Sequence, residues 1–259
     1  MYEFVPAAYC YTYMLSKSQI SFIKSLHQKK HRKENAIFII EGIKTISEFI
    51  QSDYQIHSLY YLPSHLSLLP KLPANIKLFE LNNAELEKIS TLQTPQGILA
   101  LVNIPDKQEI ELNSLKNKFS LVLDDVQDPG NFGTIIRTAD WFGITQIICS
   151  VQTVEAYNPK TVQSTMGSLA RVKIYYTDLE KLINQAKLPV FGALLNGQSI
   201  YQTNWGNEGL ILLGNEGHGI SESLINKITM AVTIPKFGDG ESLNVAVSAA
   251  IFCNELRRS

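Results

Sequence analysis

The chain has 259 residues, of which 45% are hydrophobic, and its formal net charge is −1. This length suits one large domain or two modest ones, and the hydrophobic content is ample for a buried core. Because the net charge is close to zero, any nucleic-acid binding must depend on a local basic patch and not on the charge of the whole chain.

The cysteine and hydropathy patterns exclude several classes of protein. Cys10, Cys149 and Cys253 are odd in number and far apart, with no Cys-x-x-Cys pair and no histidine cluster. Neither a disulfide framework nor a zinc site is predicted, and no metal is expected. No apolar run approaches the roughly 18 residues that a membrane span needs, and the N-terminus lacks the pattern of a secretory signal. We therefore expect a cytoplasmic protein that does not act at a membrane.

The N-terminal part of the chain predicts a small α/β domain over residues 14–103. Residues 1–13 are unpatterned and are interpreted as an atypical extension. From Ser18 a helix is predicted, and it ends in the basic run Lys29-Lys30-His31-Arg32-Lys33. The elements predicted after it are strands at 36–40, 56–62, 76–81 and 97–102 and helices at 43–50 and 83–89.

Residues 104–118 are polar and charged and predict a linker, and residues 119–259 predict a second domain. It opens with a continuous apolar strand at 119–126, after which strand and helix patterns alternate. This alternation is typical of a mostly parallel sheet covered on both faces. The predicted strands are 146–149, 172–176, 189–194, 209–213 and 230–234, and the predicted helices are 134–142, 160–166, 179–186, 222–228 and a closing helix capped by Ser242.

Three motifs follow predicted strands of the second domain, where α/β proteins bind ligands. The first runs from Asp128 to Ala139 and contains Asn131 and Arg137; the second runs from Leu212 to Ser221 and contains Glu216; the third is Glu241-Ser242-Leu243-Asn244-Val245-Ala246. None has the G-x-G-x-x-G or G-x-x-x-x-G-K-[ST] spacing, which disfavours nicotinamide and nucleoside-triphosphate sites. His218 is interpreted as a loop residue, because no second metal ligand is spaced with it.

In this order, the three motifs resemble the signatures of the SpoU (TrmH-like) RNA 2′-O-ribose methyltransferases. Arg32-Lys33-Glu34 and the following Phe38-Ile39-Ile40-Glu41-Gly42 resemble the substrate-binding domain that precedes the catalytic domain in many members. The similarity covers nearly everything after Met14. The departures are small: Ser248 stands where alanine is common, and residues 1–13 have no counterpart.

The resemblance implies S-adenosylmethionine as methyl donor, an RNA substrate with ribosomal RNA favoured over transfer RNA, a trefoil knot in the second domain, and a homodimer with active sites at the subunit interface. It implies catalytic roles for Arg137, Asn131, Glu216, Ser242 and Asn244. The implied cofactor-binding residues are Leu195, Asn196, Gly214, Asn215, Gly217, Ile234, Pro235 and Leu243. Arg137 corresponds to the proposed base of the family, yet a guanidinium stays protonated, so a phosphate-binding role is the alternative.

Two other readings remain open at this point. One is a catalytically inactive RNA-binding protein of the same fold, and the other is a nucleotide-dependent oxidoreductase on a doubly wound sheet. For RNA capture by the first domain, the basic cluster Lys29, Lys30, Arg32 and Lys33 is the predicted phosphate-contacting surface.

Overall fold

The computed structural model describes residues 15–73, 76–107 and 109–258, so the predicted extension at 1–13 lies outside the described residues. The described chain forms two compact units. One contains the residues up to Asp106 together with Tyr157–Ala170, and the other contains Lys107–Ala156 and the residues from Arg171 onward. No described helix is long and apolar enough to cross a membrane.

The first unit is built on a four-stranded sheet with the order β1-β4-β2-β3. Only β2 and β3 are parallel, and β4 pairs antiparallel with both β1 and β2. Its strands are β1 (Ile37–Glu41), β2 (Ile56–Tyr61), β3 (Lys77–Glu80) and β4 (Ile98–Asn103). Its helices along this part of the chain are α1 (Lys17–Ser25), α2 (Lys29–Asn35), α3 (Ile43–Ile50), the single turn α4 (Pro63–Leu66) and α5 (Asn83–Ile89).

The sequence patterns explain these helices and their packing. Capping boxes formed by Ser16 with Gln19 and by Asn82 with Glu85 start α1 and α5. The apolar faces of both helices cover one side of the sheet, where Ile23, Leu26 and Ile89 are fully buried. Helix α3 covers the other side of the sheet, where Phe49 packs against Phe38 of β1, so that every residue of β1 is buried.

Residues 157–170 pack with the first unit, although they were predicted to belong to a continuous second domain at 119–259. Their helix is α7 (Pro159–Thr165), numbered by its place along the chain. Tyr157 at its start lies over Phe38, with ring centroids 4.7 Å apart, and its hydroxyl is 3.4 Å from that of Tyr54. Aromatic packing holds the segment against β1 and α3.

The second unit is built on a six-stranded, wholly parallel sheet with the order β10-β8-β9-β5-β6-β7. Its strands are β5 (Phe119–Leu123), β6 (Gln146–Ser150), β7 (Lys173–Thr177), β8 (Val190–Ser199), β9 (Gly209–Leu213) and β10 (Met230–Thr233). Its helices are α6 (Pro129–Trp141), α8 (Leu179–Ala186), α9 (Glu222–Ile225) and α10 (Val245–Arg258). Short 3-10 helices lie at Leu112–Leu115, Ser168–Ala170 and Ile200–Gln202, the second of them in the first unit.

Central strands of this sheet are buried on both faces, as their continuous apolar sequences predict. Every residue of β6 and β9 is buried. The fold class predicted from the alternating pattern, an α/β protein with a parallel sheet, is confirmed. The trefoil knot implied by the resemblance stays a prediction.

Two helix starts differ by more than one residue from those predicted. Helix α6 begins at Pro129 and not at Thr134, because Asp128 accepts the N–H of Asn131 as N-cap and proline suits the first helical position. Helix α10 begins at Val245, and the predicted Ser242 cap is wrong: the side-chain oxygen of Asn244 accepts the N–H groups of Ala246 and Val247. The segment predicted as a linker, 104–118, contains the 3-10 helix Leu112–Leu115.

Strand β8 continues past its predicted end and bulges away from its neighbour. Gly192 pairs with Ala231 of β10, and Gln198 pairs with the next residue, Val232. Residues 193–197 therefore have no partner on β10 and form a loop within the strand. The carbonyl of Leu195 in this loop accepts the hydroxyl of Thr233.

The basic cluster contains one residue that cannot bind RNA as predicted. Arg32 is 2% exposed, and its Nη1 donates to the carbonyls of Leu26 and His27 at 2.8 and 2.9 Å. These carbonyls end α1, where no further helical N–H is available to them. The prediction of phosphate contact is therefore wrong for Arg32, which joins α1 to α2, while Lys29, Lys30 and Lys33 are exposed.

We expect Arg32→Met to lower the free energy of unfolding of the protein by about 2–4 kcal/mol, because it leaves two buried carbonyls without donors. The matched control is Lys33→Met on the exposed side of α2, which should change stability by less than about 0.5 kcal/mol. Urea denaturation followed by circular dichroism measures both. Equal stability of the two variants would contradict the structural role given to Arg32.

Candidate active site

A cleft of about 580 Å³ lies at the carboxyl ends of β8, β9 and β10. Three loops form its walls: the bulge of β8, the glycine loop after β9, and the loop between β10 and α10. Parallel sheets bind ligands at this edge because all strand ends and the following loops converge there. The cleft lies wholly within the second unit.

The loop after β9 is closed tightly on itself by Asn215. Its backbone N–H and carbonyl both bond to Gly219, and its Oδ1 accepts the N–H groups of Gly217 and His218. A Cβ on Gly214 would lie 2.2 Å from the carbonyl carbon of Gly219, so only glycine permits this closure. The side-chain Nδ2 of Asn215 donates to the carbonyl of Asp125, which ties the loop to the end of β5.

Glu216 joins this loop to the first motif. Its carboxylate accepts the backbone N–H groups of Gln127 and Asp128, each at 3.2 Å, and the Nδ2 of Asn131 at 3.0 Å. Partial burial acts to raise the pKa of the carboxyl, but the hydrogen bond from Asn131 and those from backbone N–H groups outweigh it and lower the pKa. The group is therefore an anion that holds the start of α6.

Asn131 continues the connection to the third motif. Its Oδ1 accepts the Nδ2 of Asn244 at 2.9 Å. Because the Oδ1 of Asn244 caps α10, both ends of this amide are fixed. The side chains of Glu216, Asn131 and Asn244 thus form one continuous chain of hydrogen bonds, which we call the motif bridge. It joins the start of α6 to two loops whose bonded residues lie 85 and 113 residues further along the chain.

Seven of the eight residues predicted to bind the cofactor line the cleft: Leu195, Gly214, Asn215, Gly217, Ile234, Pro235 and Leu243. Asn196 lies in the bulge of β8 and is exposed, but it is not among the lining residues. Ser242 lines the cleft from an exposed loop. The loop also carries Phe237, whose side chain is 94% exposed.

Arg137 lies apart from the other predicted catalytic residues. It follows Asn131 by six residues on α6, so the two side chains leave the helix in different directions. Arg137 is exposed, lines neither the cleft nor the groove described next, and has no hydrogen bond or ion pair with the described residues. Within a single chain, the guanidinium of Arg137 therefore does not lie at the motif bridge.

A second concave surface, which we call the helical groove, lies along α6 and α10. Asn131, Thr134 and Thr138 line it from α6, at the spacing of one helix face. The other lining residues are Tyr201 of the 3-10 helix Ile200–Gln202, Asn244 directly before α10, and Ala246, Val247, Ala250, Ile251, Asn254 and Glu255 of α10. Tyr201 and Val247 are about half exposed, and Trp141 at the end of α6 is 84% exposed.

Three residues that follow β5 and support the motif bridge were not predicted as site residues. Asp125, Gln127 and Asp128 make hydrogen bonds to the loop after β9 or to α6. Asp128 could have been found as a cap, because an aspartate stands three residues before Asn131 and directly before a proline. Nothing in the sequence signals the backbone N–H donors of Gln127 and Asp128.

The described residues contain no group of three or more His, Cys, Asp or Glu side chains that could hold a metal ion. Cys149 and Cys253 are buried free thiols. Burial raises the pKa of Cys253 to about 12 and that of Cys149 well above its usual range. Neither thiol is suited to act as a nucleophile.

We expect Glu216→Gln to destabilise the second unit by about 1 kcal/mol at neutral pH. The glutamine side chain would place its own N–H₂ group opposite N–H donors, whose hydrogen bonds the carboxylate accepts. The pKa of Glu216 is lowered from 4.5 in the folded protein. The stabilisation is therefore complete above that value and is lost as pH falls through the lower, folded-state pKa.

Urea unfolding at pH 7, 5, 4 and 3 tests this, with Glu111→Gln on the exposed surface as control. The difference in free energy of unfolding between wild type and Glu216→Gln should be the same at pH 7 and pH 5 and should shrink towards pH 3. A difference that is independent of pH would show that the carboxylate does not hold the loop through its charge.

Comparison with known proteins assigns the chain to a family. The SpoU rRNA Methylase family model matches residues 118–254, and the MRM3-like substrate binding domain matches residues 17–100. The 23S rRNA (guanosine(2553)-2′-O)-methyltransferase RlmP of Bacillus subtilis is 32% identical over 90% of this chain and 94% of its own length.

Solved structures agree. A putative RNA methyltransferase of the TrmH family from Porphyromonas gingivalis matches with a TM-score of 0.86 and 37% identity, covering 95% of this chain and 100% of that one. The AdoMet-bound rRNA methyltransferase from Sinorhizobium meliloti matches with a TM-score of 0.84 and 28% identity, covering 95% and 97%. The chain thus belongs to the SpoU family of RNA 2′-O-ribose methyltransferases, as its three motifs and their order predicted.

Proposed function

We propose that this protein transfers the methyl group of S-adenosylmethionine to a ribose 2′-hydroxyl of ribosomal RNA. The observation that carries the proposal is the motif bridge of Glu216, Asn131 and Asn244, which joins two loops that line the cleft to the start of α6. A reaction that depends on the orientation of its reactants more than on covalent catalysis needs such a fixed polar edge beside the cleft. The bacterial relatives named as 23S rRNA methyltransferases favour ribosomal over transfer RNA.

The residues that line the cleft fit an adenosine-containing cofactor. Apolar side chains of Leu195, Ile234, Pro235 and Leu243 can contact an adenine face, and the glycine loop after β9 offers backbone groups to its edge. When bound, S-adenosylmethionine supplies an activated methyl group. Glu216 and Glu241 line the cleft together with Lys236, so the carboxylates offset the lysine charge near a cationic sulfur.

Arg137 and the helical groove support a homodimer as the active form. Arg137 has no partner among the described residues, and the groove exposes apolar area of Tyr201, Val247 and, next to it, Trp141. A symmetric dimer that buries this face would cover that area and bring residues of a second copy beside the motif bridge. In such a site, Arg137 would bind the RNA phosphate or the developing charge on the ribose oxygen.

The first unit is proposed to capture the RNA through the exposed lysines of α2. Lys30 is paired only loosely with Glu34, at 3.8 Å, and Lys29 and Lys33 have no ion pair with described residues. The cytoplasmic location expected from the cysteine pattern belongs to the same proposal.

Incubation of the purified protein with labelled S-adenosylmethionine and RNA from a strain lacking the gene tests the reaction directly. Label should appear on ribose 2′-oxygens of ribosomal RNA. Arg137→Ala should lower turnover by at least about 100-fold while the affinity for S-adenosylmethionine stays within threefold, because Arg137 does not line the cleft. Label on bases alone would contradict the proposal, and cofactor or RNA binding without any label would favour an inactive RNA-binding protein.

The dimer is tested by Val247→Asp, which places a charge in the helical groove. We expect a monomer by light scattering and loss of methyl transfer, because a buried unpaired carboxylate disfavours association. The control Ile225→Asp changes a residue of α9 that is 43% exposed outside the groove, and this variant should stay dimeric and active. A monomeric Val247→Asp protein with full activity would refute the shared site.

RNA capture is tested by replacing Lys29, Lys30 and Lys33 together with alanine and leaving the buried Arg32 unchanged. The plot of log binding constant against log salt concentration should become shallower by about 2–3 units, because each phosphate contact adds roughly 0.7–0.9 to the slope. A control with Lys107, Lys116 and Lys173 changed to alanine has the same net charge and should keep the wild-type slope. Equal slopes in both triple variants would show that α2 is merely solvated.

A further inference from the structure

The glycine loop after β9, residues 214–221, forms one wall of the cleft. All residues from Gly214 to Gly219 line it. Three residues of the loop are glycines, and glycine loses more conformational freedom on folding than any other residue. Because such a loop has many alternative conformations, contacts with its surroundings must select the one that lines the cleft.

The glycine loop is attached to the segment that follows β5 at both of its ends. Near its start, Asn215 and Glu216 bond to residues of this segment. At its end, the backbone N–H of Ser221 donates to Oδ2 of Asp124 at 2.7 Å, which is at the short end of the usual range for such a bond. Asp124 therefore holds the half of the loop that Asn215 and Glu216 do not reach.

Asp124 is a buried carboxylate outside the cleft. The residue is 6% exposed and is not among those that line the cleft. Its backbone N–H donates to the carbonyl of Leu213 at 2.9 Å, so it continues the pairing of β5 with β9. Removal of a carboxylate from water costs free energy unless hydrogen bonds compensate for it. The bond from Ser221 supplies such compensation and at the same time fixes the loop.

The end of the loop is in direct contact with its start. A Cβ on Gly214 would lie 2.3 Å from the backbone nitrogen of Ile220, the residue before Ser221. Ile220 is buried and packs in the same core cluster as Leu224 of α9. A displacement of Ser221 would therefore move Ile220 and change the wall of the cleft at Gly214.

We propose that Asp124 is a positioning residue for S-adenosylmethionine, which raises the affinity of the cleft by keeping the glycine loop in the conformation that lines it. The inference rests on the cofactor of the proposed function. Without the bond to Ser221, this conformation is one of several, and the dissociation constant rises by the inverse of the fraction that keeps it. The transfer step is not affected once the cofactor is bound, because Asp124 is not part of the motif bridge.

Asp124→Ala in the full-length protein tests this inference. The dissociation constant for S-adenosylmethionine, measured by calorimetry, should rise about tenfold or more. The single-turnover rate of ribose methylation at saturating cofactor should stay within about threefold of wild type. Asp124→Asn keeps an acceptor oxygen for the N–H of Ser221 and should restore the dissociation constant to within about threefold of wild type.

Ser120→Ala, near the other end of β5, is the matched control. Ser120 is fully buried, and its Oγ accepts Gln146 Nε2 at 2.7 Å, so this variant also loses a buried hydrogen bond of the same strand. It should lower the urea midpoint of unfolding and keep the wild-type dissociation constant for the cofactor. An equal rise of the dissociation constant in Ser120→Ala and Asp124→Ala would overturn the inference, because stability and not loop position would then determine affinity.

Ser221→Pro removes the donor of the same bond and leaves Asp124 in place, so it tests the bond even if Asp124→Ala does not fold. The φ of Ser221 is −61°, which proline adopts, and its side chain makes no cap hydrogen bond. This variant should raise the dissociation constant by a similar factor, and the two effects should not add in the double variant.

Independent effects in the double variant, or wild-type affinity in both single variants, would overturn the inference. A wild-type protein that binds no S-adenosylmethionine would overturn both the inference and the proposed function. Cofactor binding without ribose labelling by the wild type would contradict the proposed function alone.

Discussion

The arrangement of the active cleft depends on one carboxylate. Glu216 lies in the loop that follows β9. All the groups outside this loop that donate hydrogen bonds to its carboxylate belong to the segment that follows β5. Two of these donors are backbone N–H groups at the start of a helix, where no helical carbonyl is available and an anion is favoured. Through Asn131 the same contact reaches Asn244 and thereby fixes the start of α10. Three loops that are distant in sequence are positioned by one chain of hydrogen bonds.

The sheet makes this arrangement possible. Because β9 lies between β8 and β5 and all three strands are parallel, the loops that follow them emerge at one edge. Burial of the strands on both faces fixes their register. The sheet, and not the loops themselves, therefore determines where each loop begins. The bulge of β8 opens the space between its loop and β10. The rigid part of the fold thus sets the width of the cleft, and the motif bridge sets its polar edge.

Periodicity predicted the strands and most helices well, because apolar runs and alternating patterns report burial directly. The bounds of α3, α8 and β9 agree with the pattern at both ends. Errors occurred where an interaction between distant residues decides the outcome. Arg32 belongs to a run of cations in the sequence, but two carbonyls at the end of α1 draw it into the interior. Tyr157–Ala170 follows a strand of the second unit in sequence, but aromatic packing places it on the first.

The candidate site was predictable by motif, and its geometry was not. The resemblance named Glu216, Asn131 and Asn244, but nothing in the sequence states that these three side chains bond to one another. It also grouped Arg137 with them, whereas the pitch of α6 directs that side chain away from Asn131. The hydrogen bond between Asp125 and His218 was not predicted, because a contact across 93 residues leaves no local pattern.

Amide hydrogen exchange at single-residue resolution tests the central role of Glu216 most directly. In the wild-type protein, the N–H groups of Gln127 and Asp128 should exchange slowly, although both residues lie in a loop, because the Glu216 carboxylate accepts them. In Glu216→Gln their protection should fall to that of an open loop, while the N–H groups within β5 and β9 stay protected. Fast exchange of both amides in the wild type, or unchanged protection in the variant, would contradict the account.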